Sequence, residues 1–232
     1  ACLKRQQHLT YAQLAELDPM PQPLVHLHLL IPPPEPEQRG VVASCSYAAR
    51  QSGVRSAMPM GRAIRLCPRL TIVGGHYKDY NEASHKVMEV LRRLTPQLEQ
   101  ISIDEAFLDL SELPEEAETI AHRLQQEINE TLGLPCSIGV ASNKLVAKIA
   151  TDAGKAAALK RDGPPSPPNA ITIVPDGQEA EFLAPLPAQA LWGVGPKTAE
   201  RLAELGMHTI CYIAAWPADD LIRRFGKHGR AL

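Results

Sequence analysis

Asp104 and Glu105 are adjacent carboxylates at the tip of an alternating segment, residues 98–110, in which Ile101 and Ile103 lead on to Phe107-Leu108. Neighbouring side chains of a regular strand point to opposite faces, but that rule relaxes at a hairpin tip, so both carboxylates can face one cleft. Such oxygens suit hard divalent cations such as Mg²⁺. A pair of these ions roughly 4 Å apart is a common device of phosphoryl transfer. A turn that is acidic only because turns are solvated has the same composition, so the pair alone leaves both readings open.

Three other groups of residues suit phosphate. Tyr47 and Arg50 follow Ser44 and Ser46, which are good capping residues for a short helix. Amide groups at a helix start favour anions, an arginine can fork onto phosphate oxygens, and a tyrosine hydroxyl can add a second bond. A packed Tyr47 beside a solvated Arg50 is the plainer alternative. Lys144, Lys148 and Lys155 form one helical stripe, while Leu145, Val146, Ile149, Ala150 and Ala153 face elsewhere. A solvated helix face has the same pattern. Gly193-Val194-Gly195-Pro196-Lys197-Thr198 has the form of a helix-hairpin-helix loop. Its glycines let the backbone approach a phosphate closely, and the helix that follows points N–H groups at it, a contact independent of base sequence.

Periodicity lays out the elements that must hold these residues. Residues 41–43 read as a short strand, 47–51 as a helical turn, 60–66 as a helix and 71–73 as extended chain. Helical spacing recurs over 78–94, 117–132 and 143–153, with strands at 136–140 and 171–174 and a run of short helices beyond. The order predicts an α+β fold, a sheet with helices on one face. Residues 163–169 (Gly-Pro-Pro-Ser-Pro-Pro-Asn) read as a linker.

Composition narrows the class. The chain of 232 residues is 44% hydrophobic and 22% charged, ordinary for a soluble globular protein. At 4% aromatic it has too few rings for stacking to be its main route to bases. The formal charge of −2 argues against a generic nucleic-acid binder, but it sums unlike regions. Arg50, Arg55, Arg62, Arg65 and Arg69 stand in a stretch without acids; residues 99–130 are acid-rich; Arg223, Arg224, Lys227 and Arg230 close the chain. No window approaches 18 consecutive apolar residues, which excludes a membrane helix. Five cysteines, widely spaced and without a C-x-x-C pair, indicate free thiols and a cytoplasmic protein.

The motifs also carry a resemblance. Ser102-Ile103-Asp104-Glu105-Ala106-Phe107-Leu108-Asp109 closely resembles the catalytic palm motif of Y-family, translesion DNA polymerases. Ala43-Ser44-Cys45-Ser46-Tyr47-Ala48-Ala49-Arg50, with Gly53-Val54-Arg55-Ser56-Ala57-Met58-Pro59, is similar to the fingers motif. Ser137-Ile138-Gly139-Val140-Ala141-Ser142-Asn143-Lys144, with Ala147-Lys148-Ile149-Ala150, is similar to the second palm motif, and Leu191-Trp192-Gly193-Val194-Gly195-Pro196-Lys197-Thr198-Ala199 to the thumb. All four occur in the family's order, closest to the bacterial polymerase IV branch. The resemblance implies a palm-type antiparallel sheet, a small fingers subdomain and an all-α helix-hairpin-helix thumb. It places an atypical segment at 1–36, fingers at 37–76, palm at 77–163 and linker plus thumb at 164–232.

The same resemblance implies that Asp104 and Glu105 are catalytic and hold Mg²⁺, two ions in the family. Ser44, Tyr47, Arg50 and Lys155 would bind the nucleotide, and Gly193, Gly195, Lys197 and Thr198 the DNA. Partners would be primer-template DNA, deoxynucleoside triphosphates and a sliding clamp, whose usual docking region lies beyond this chain. Two departures qualify the picture. His28 stands where the family has a metal-binding aspartate, and imidazole is a poor ligand for Mg²⁺. Gly154-Lys155-Ala156 also replaces the family's usual Lys-Pro-x-Gly. The missing aspartate predicts impaired activity, and the atypical segment 1–36 a truncated or frame-shifted gene, with family sequence resuming near Glu35. A non-catalytic DNA-binding accessory derived from such a polymerase is the alternative. A nucleotide cyclase shares the palm and its carboxylates, but has no primer for a helix-hairpin-helix to hold.

Overall fold

Ser46 begins the first helix: its Oγ accepts a hydrogen bond from Ala49 N at 3.3 Å at the head of α1 (Tyr47–Gln51). The computed structural model describes residues 40–74, 77–160, 166–230 and 232, so the segment 1–36, with His28, lies outside the described residues. The chain divides into two units between His85 and Lys86, residues 164–166 going with the first. In the first unit α1 and α2 (Met60–Leu66) close over Val42, Cys45, Ala49, Val54, Met60, Ala63 and Cys67. The strand expected at 41–43 is only an antiparallel bridge, Val41 to Pro59. Bonds from Val42 N to Met58 O and from Met60 N to Gly40 O flank the bridge, and the facing chain then turns into α2 at Met60, which ends the ladder. Residues 71–73 pair with no strand among the described residues.

The second unit begins within α3 (Tyr77–Leu94), whose Met88, Val90 and Leu91 are buried. Next comes the anticipated hairpin, β1 (Leu98–Gln100) antiparallel to β2 (Ala106–Leu108), with Leu98 opposite Leu108 and Gln100 opposite Ala106. α4 (Ala117–Leu132) buries Ile120, Ala121, Leu124 and Ile128, one face at helical spacing, and stops at Gly133 with a left-handed φ of 64°. That face packs on α3 and beneath Leu98, Ala106, Leu108 and Ile138. At about 1.5–3 kcal/mol for each fully buried large side chain, this is what holds the hairpin in place.

A second sheet has the opposite sense. β3 (Ile138–Val140) runs parallel to β4 (Ile171–Ile173), and α5 (Lys144–Leu159) makes the crossover that parallel strands require. Asn143 caps α5 through its Oδ1, which accepts from Val146 N at 3.0 Å. The helix outruns the expected 143–153 because Gly154 is a packing residue within it. A Cβ there would lie 2.3 Å from Thr172 Oγ1, and the alanines that follow favour helix. Gly139 has the same role from the strand side: its Cβ would lie 2.1 Å from Ala147 O. Two glycines therefore let α5 lie against the β3–β4 pair.

The rest is helical: α6 (Glu179–Leu183), a 3₁₀ turn (Ala188–Ala190), α7 (Pro196–Glu204), α8 (Ile210–Ala214), α9 (Ala218–Phe225) and a 3₁₀ stretch (Gly226–Arg230). Leu191, Val194, Leu202, Met207, Ile210, Ile213 and Leu221 form its core, which Ile149 of α5 completes. The fold is thus α+β, with a small antiparallel hairpin, a parallel pair and a helical end. Cys45 and Cys67 are buried free thiols, Cys136 is half-buried and Cys211 exposed.

Candidate functional site

The carboxylate hairpin is held by its own backbone. Ile101 N and Ser102 N both donate to Glu105 O, at 2.9 and 3.2 Å, and Ser102 Oγ donates to Asp104 Oδ1 at 2.6 Å. These bonds fix the tip between β1 and β2. Asp104 is exposed and Glu105 half-buried. They share a cleft of about 800 Å³ whose lining includes Lys144, Lys148, Lys155 and Trp192.

The lysine stripe is not simply solvated. Lys148 Nζ donates to Glu105 Oε1 at 2.6 Å and lies 3.4 Å from Asp152 Oδ2; Lys155 Nζ lies 3.9 Å from Asp152 Oδ1. Lys144 pairs with Glu99 on β1. Burial alone would lower the Lys148 ammonium, but its bonds to Glu105 and Asp152 outweigh that and hold it above the ordinary lysine value. Sequence reasoning missed both the Lys148–Glu105 pair and Asp152. Only the seating of α5 beside the hairpin makes them neighbours, and the available signal was Gly139.

Asp104 and Glu105 offer hard oxygen donors, and Mg²⁺ is often held by one or two carboxylates plus substrate phosphates, so the pair fits that ion. Among the described residues, no group of three or more His, Cys, Asp or Glu comes together as a metal cluster.

The helix-hairpin-helix loop lies in the same unit. Gly193 has a φ of +91°, open to glycine and strained for other residues, and Gly195 leads into α7 with Pro196 at its first position. The first amide to bond back is that of Ala199, to Gly195 O at 2.9 Å, so Lys197 and Thr198 stand at the open end. No atom lies within 4 Å of a Cβ built at either glycine, which leaves room for a ligand's backbone. Trp192 ties this loop to β2: its ring lies 6.1 Å from that of Phe107, and Lys144 Nζ sits 5.8 Å from the Phe107 centroid.

The other nucleotide candidates belong to the first unit. Ser44 is half-buried and does not cap α1; Ser46 does. The Arg50 guanidinium lies 5.4 Å over the Tyr47 ring, and its Nε donates to Cys45 O at 3.4 Å. Arg55 Nη1 donates to the carbonyls of Arg50 and Val54, at 2.5 and 2.7 Å, which fixes the end of α1. Burial pushes the Cys45 thiol up, and Arg50 and Arg55 partly offset this.

Comparison with known proteins identifies the family. Residues 27–152 match the model of the impB/mucB/samB family, and residues 176–207 match the IMS family HHH motif. The first match begins inside the segment that sequence reading set apart. DNA polymerase IV of Desulfatibacillum aliphaticivorans is 42% identical over 197 residues, 84% of this chain and 47% of that protein. DNA polymerase IV of Pseudomonas entomophila is 40% identical over 201 residues, 85% of this chain and 53% of that protein. This chain thus spans about half the length of the curated relatives it matches. The crystal structure of DinB from Sulfolobus solfataricus superposes with a TM-score of 0.77 at 27% identity, over 90% of this chain and 57% of that one. An insertion ternary complex of Dbh DNA polymerase gives 0.75 at 27%, over 89% and 57%. With more than half its length under one family model and the helix-hairpin-helix motif following in order, the chain belongs to the impB/mucB/samB family, the Y-family DNA polymerases.

Proposed function

We propose that this chain carries the fingers (37–76), palm (77–163) and thumb (164–232) of a translesion DNA polymerase. Its reaction is template-directed transfer of a deoxynucleotide to a primer 3′-OH during damage bypass and repair in the cytoplasm. The supporting observation is the hairpin carboxylate pair in one cleft with Lys148 and Lys155, in the same unit as the helix-hairpin-helix loop. Asp104 and Glu105 would hold Mg²⁺. When bound, the metal supplies charge stabilisation for in-line attack on the α-phosphate.

The chain's own groups do the positioning. Arg50, braced by Arg55, and the Tyr47 hydroxyl grip the triphosphate, with Ser44 beside them. Lys155 of α5, in the second unit, is by the family resemblance a phosphate contact. The open amides of Lys197 and Thr198, after Gly193 and Gly195, take a phosphate of the primer-template duplex without reading its bases. Catalysis of this kind is positioning and electrostatic stabilisation.

A primer-extension assay with Mg²⁺ tests the proposal. Extension is expected to be weak, abolished by Asp104→Ala, and raised by His28→Asp, which restores a carboxylate at the family's metal position. Extension that persists in Asp104→Ala overturns the site assignment. Salt-sensitive duplex binding with no extension, even in His28→Asp, would instead support a non-catalytic accessory.

A further inference from the structure

Lys148 occupies a place that the reaction scheme does not use. It is the most buried of the three stripe lysines, with its side chain 19% exposed against 38% for Lys155 and 58% for Lys144. Its ammonium sits between two acids on different elements: Glu105 at the hairpin tip, 2.6 Å away, and Asp152 one turn along its own helix, 3.4 Å away. A lysine ammonium is a compact charge on a flexible stem, so it can move between such seats without moving the backbone.

Building on the assignment of Asp104 and Glu105 as divalent-cation carboxylates, we propose that Lys148 is a resident counter-ion of the site, seated on Glu105 without a divalent cation and withdrawing to Asp152 when one binds. It is a positioning residue. In the cation's absence it neutralises Glu105 and keeps the carboxylate aimed into the cleft. In the cation's presence its charge must leave, because a like charge against the ligand opposes binding. Asp152 gives it a destination. Asp152 is also the acid that Lys155 faces at 3.9 Å, so the arrival of Lys148 loosens its hold on Lys155. Cation binding and release of a phosphate-seeking lysine are then coupled through one carboxylate. A ligand can shift such an arrangement only by its difference in affinity for the two seatings, which is what the test measures.

The experiment uses the full 232-residue chain and Mn²⁺ alone as the probe, with free ion followed by electron paramagnetic resonance and no nucleotide or DNA present. Lys148→Met keeps the stem and removes the charge; it should tighten Mn²⁺ binding about fivefold, the scale of one partly exposed ion pair. Asp152→Asn removes the second seat and should weaken binding by about the same factor. In the Lys148→Met background, Asp152→Asn should change affinity less than about twofold, because no ammonium remains to be reseated. Lys148→Arg keeps the charge and should bind like the parent, and thermal melts confirm that each variant is folded. Unchanged or weaker binding in Lys148→Met overturns the proposal. So does an Asp152→Asn effect of equal size in both backgrounds, which would be plain charge loss. Glu105→Gln separates the two readings. If it leaves Mn²⁺ binding unaltered, or if neither parent nor Lys148→Met binds, the metal assignment itself fails. If Glu105→Gln abolishes binding while Lys148→Met does nothing, only the role of Lys148 fails.

Discussion

Gly139→Ala is the sharpest test of how α5 is seated on the β3–β4 pair. The added methyl would sit 2.1 Å from Ala147 O, 2.6 Å from Thr151 N and 2.6 Å from Thr151 Oγ1. Ordinary contact distances are near 3.5 Å, so α5 must retreat by about 1 Å or more, and two of the three atoms are backbone that cannot rotate away. Overpacking of this kind costs about 1–3 kcal/mol, and the backbone contacts put this case near 3 kcal/mol. The expected readout is a lower denaturant midpoint at unchanged slope, and a melting temperature lower by roughly 6–12 °C. α5 also carries Lys155, the proposed phosphate contact, which moves with the helix. Extension should therefore fall further than stability, since misplacement by about 1 Å can cost about a hundredfold in rate. Gly74→Ala is the control: nothing lies within 4 Å of its Cβ, and it should be neutral or stabilising by about 0.5 kcal/mol. A Gly139→Ala protein within about 0.5 kcal/mol of its parent would refute the argument that this glycine seats the helix.

Three further outcomes are expected. Arg223, Arg224 and Trp216 all donate to Asp220, at 2.5, 2.8 and 2.6 Å, and hold its carboxyl far below the usual carboxylate range. A carboxylate depressed in the folded state stabilises above its unfolded value near pH ~4 and loses that contribution as pH falls through the folded value, so Asp220→Asn should melt lower at neutral pH and show a shallower acid limb; parallel acid limbs would contradict this. Ala57 adopts a φ of +64°, so Ala57→Gly should be stabilising or neutral within about 1 kcal/mol and Ala57→Val destabilising by more than about 1 kcal/mol, as read by urea denaturation. Gly193→Ala strains a φ of +91° without a clash, so it should cost about 1 kcal/mol of stability yet weaken primer-template binding in fluorescence anisotropy; unchanged affinity would remove the loop from the DNA interface.

The carboxylate pair, the short helix at Tyr47–Gln51 with its serine cap and the α4 face were legible because each is local. Caps, turns and helical spacing are decided by residues a few positions apart. The same holds for the helix-hairpin-helix loop, whose Gly193 supplies the left-handed φ its turn needs. The expected strand at 41–43 shrinks to a bridge for a reason outside its own sequence: the facing chain turns into α2 one residue past Pro59. The lysine stripe was visible as a pattern, but its partners were not, since Glu105 and Lys148 are far apart in sequence and meet only across the cleft.

Residue types and spacing thus determined the chemistry this chain can offer: hard oxygen donors, phosphate-seeking cations and a glycine loop for a nucleic-acid backbone. Tertiary structure alone decided which of these groups meet. Gly139 and Gly154 are both contacts through which α5 closes on β3 and β4. That closure sets Lys148 between Glu105 and Asp152, because side-chain charges pair only where backbone packing brings them within a few ångströms.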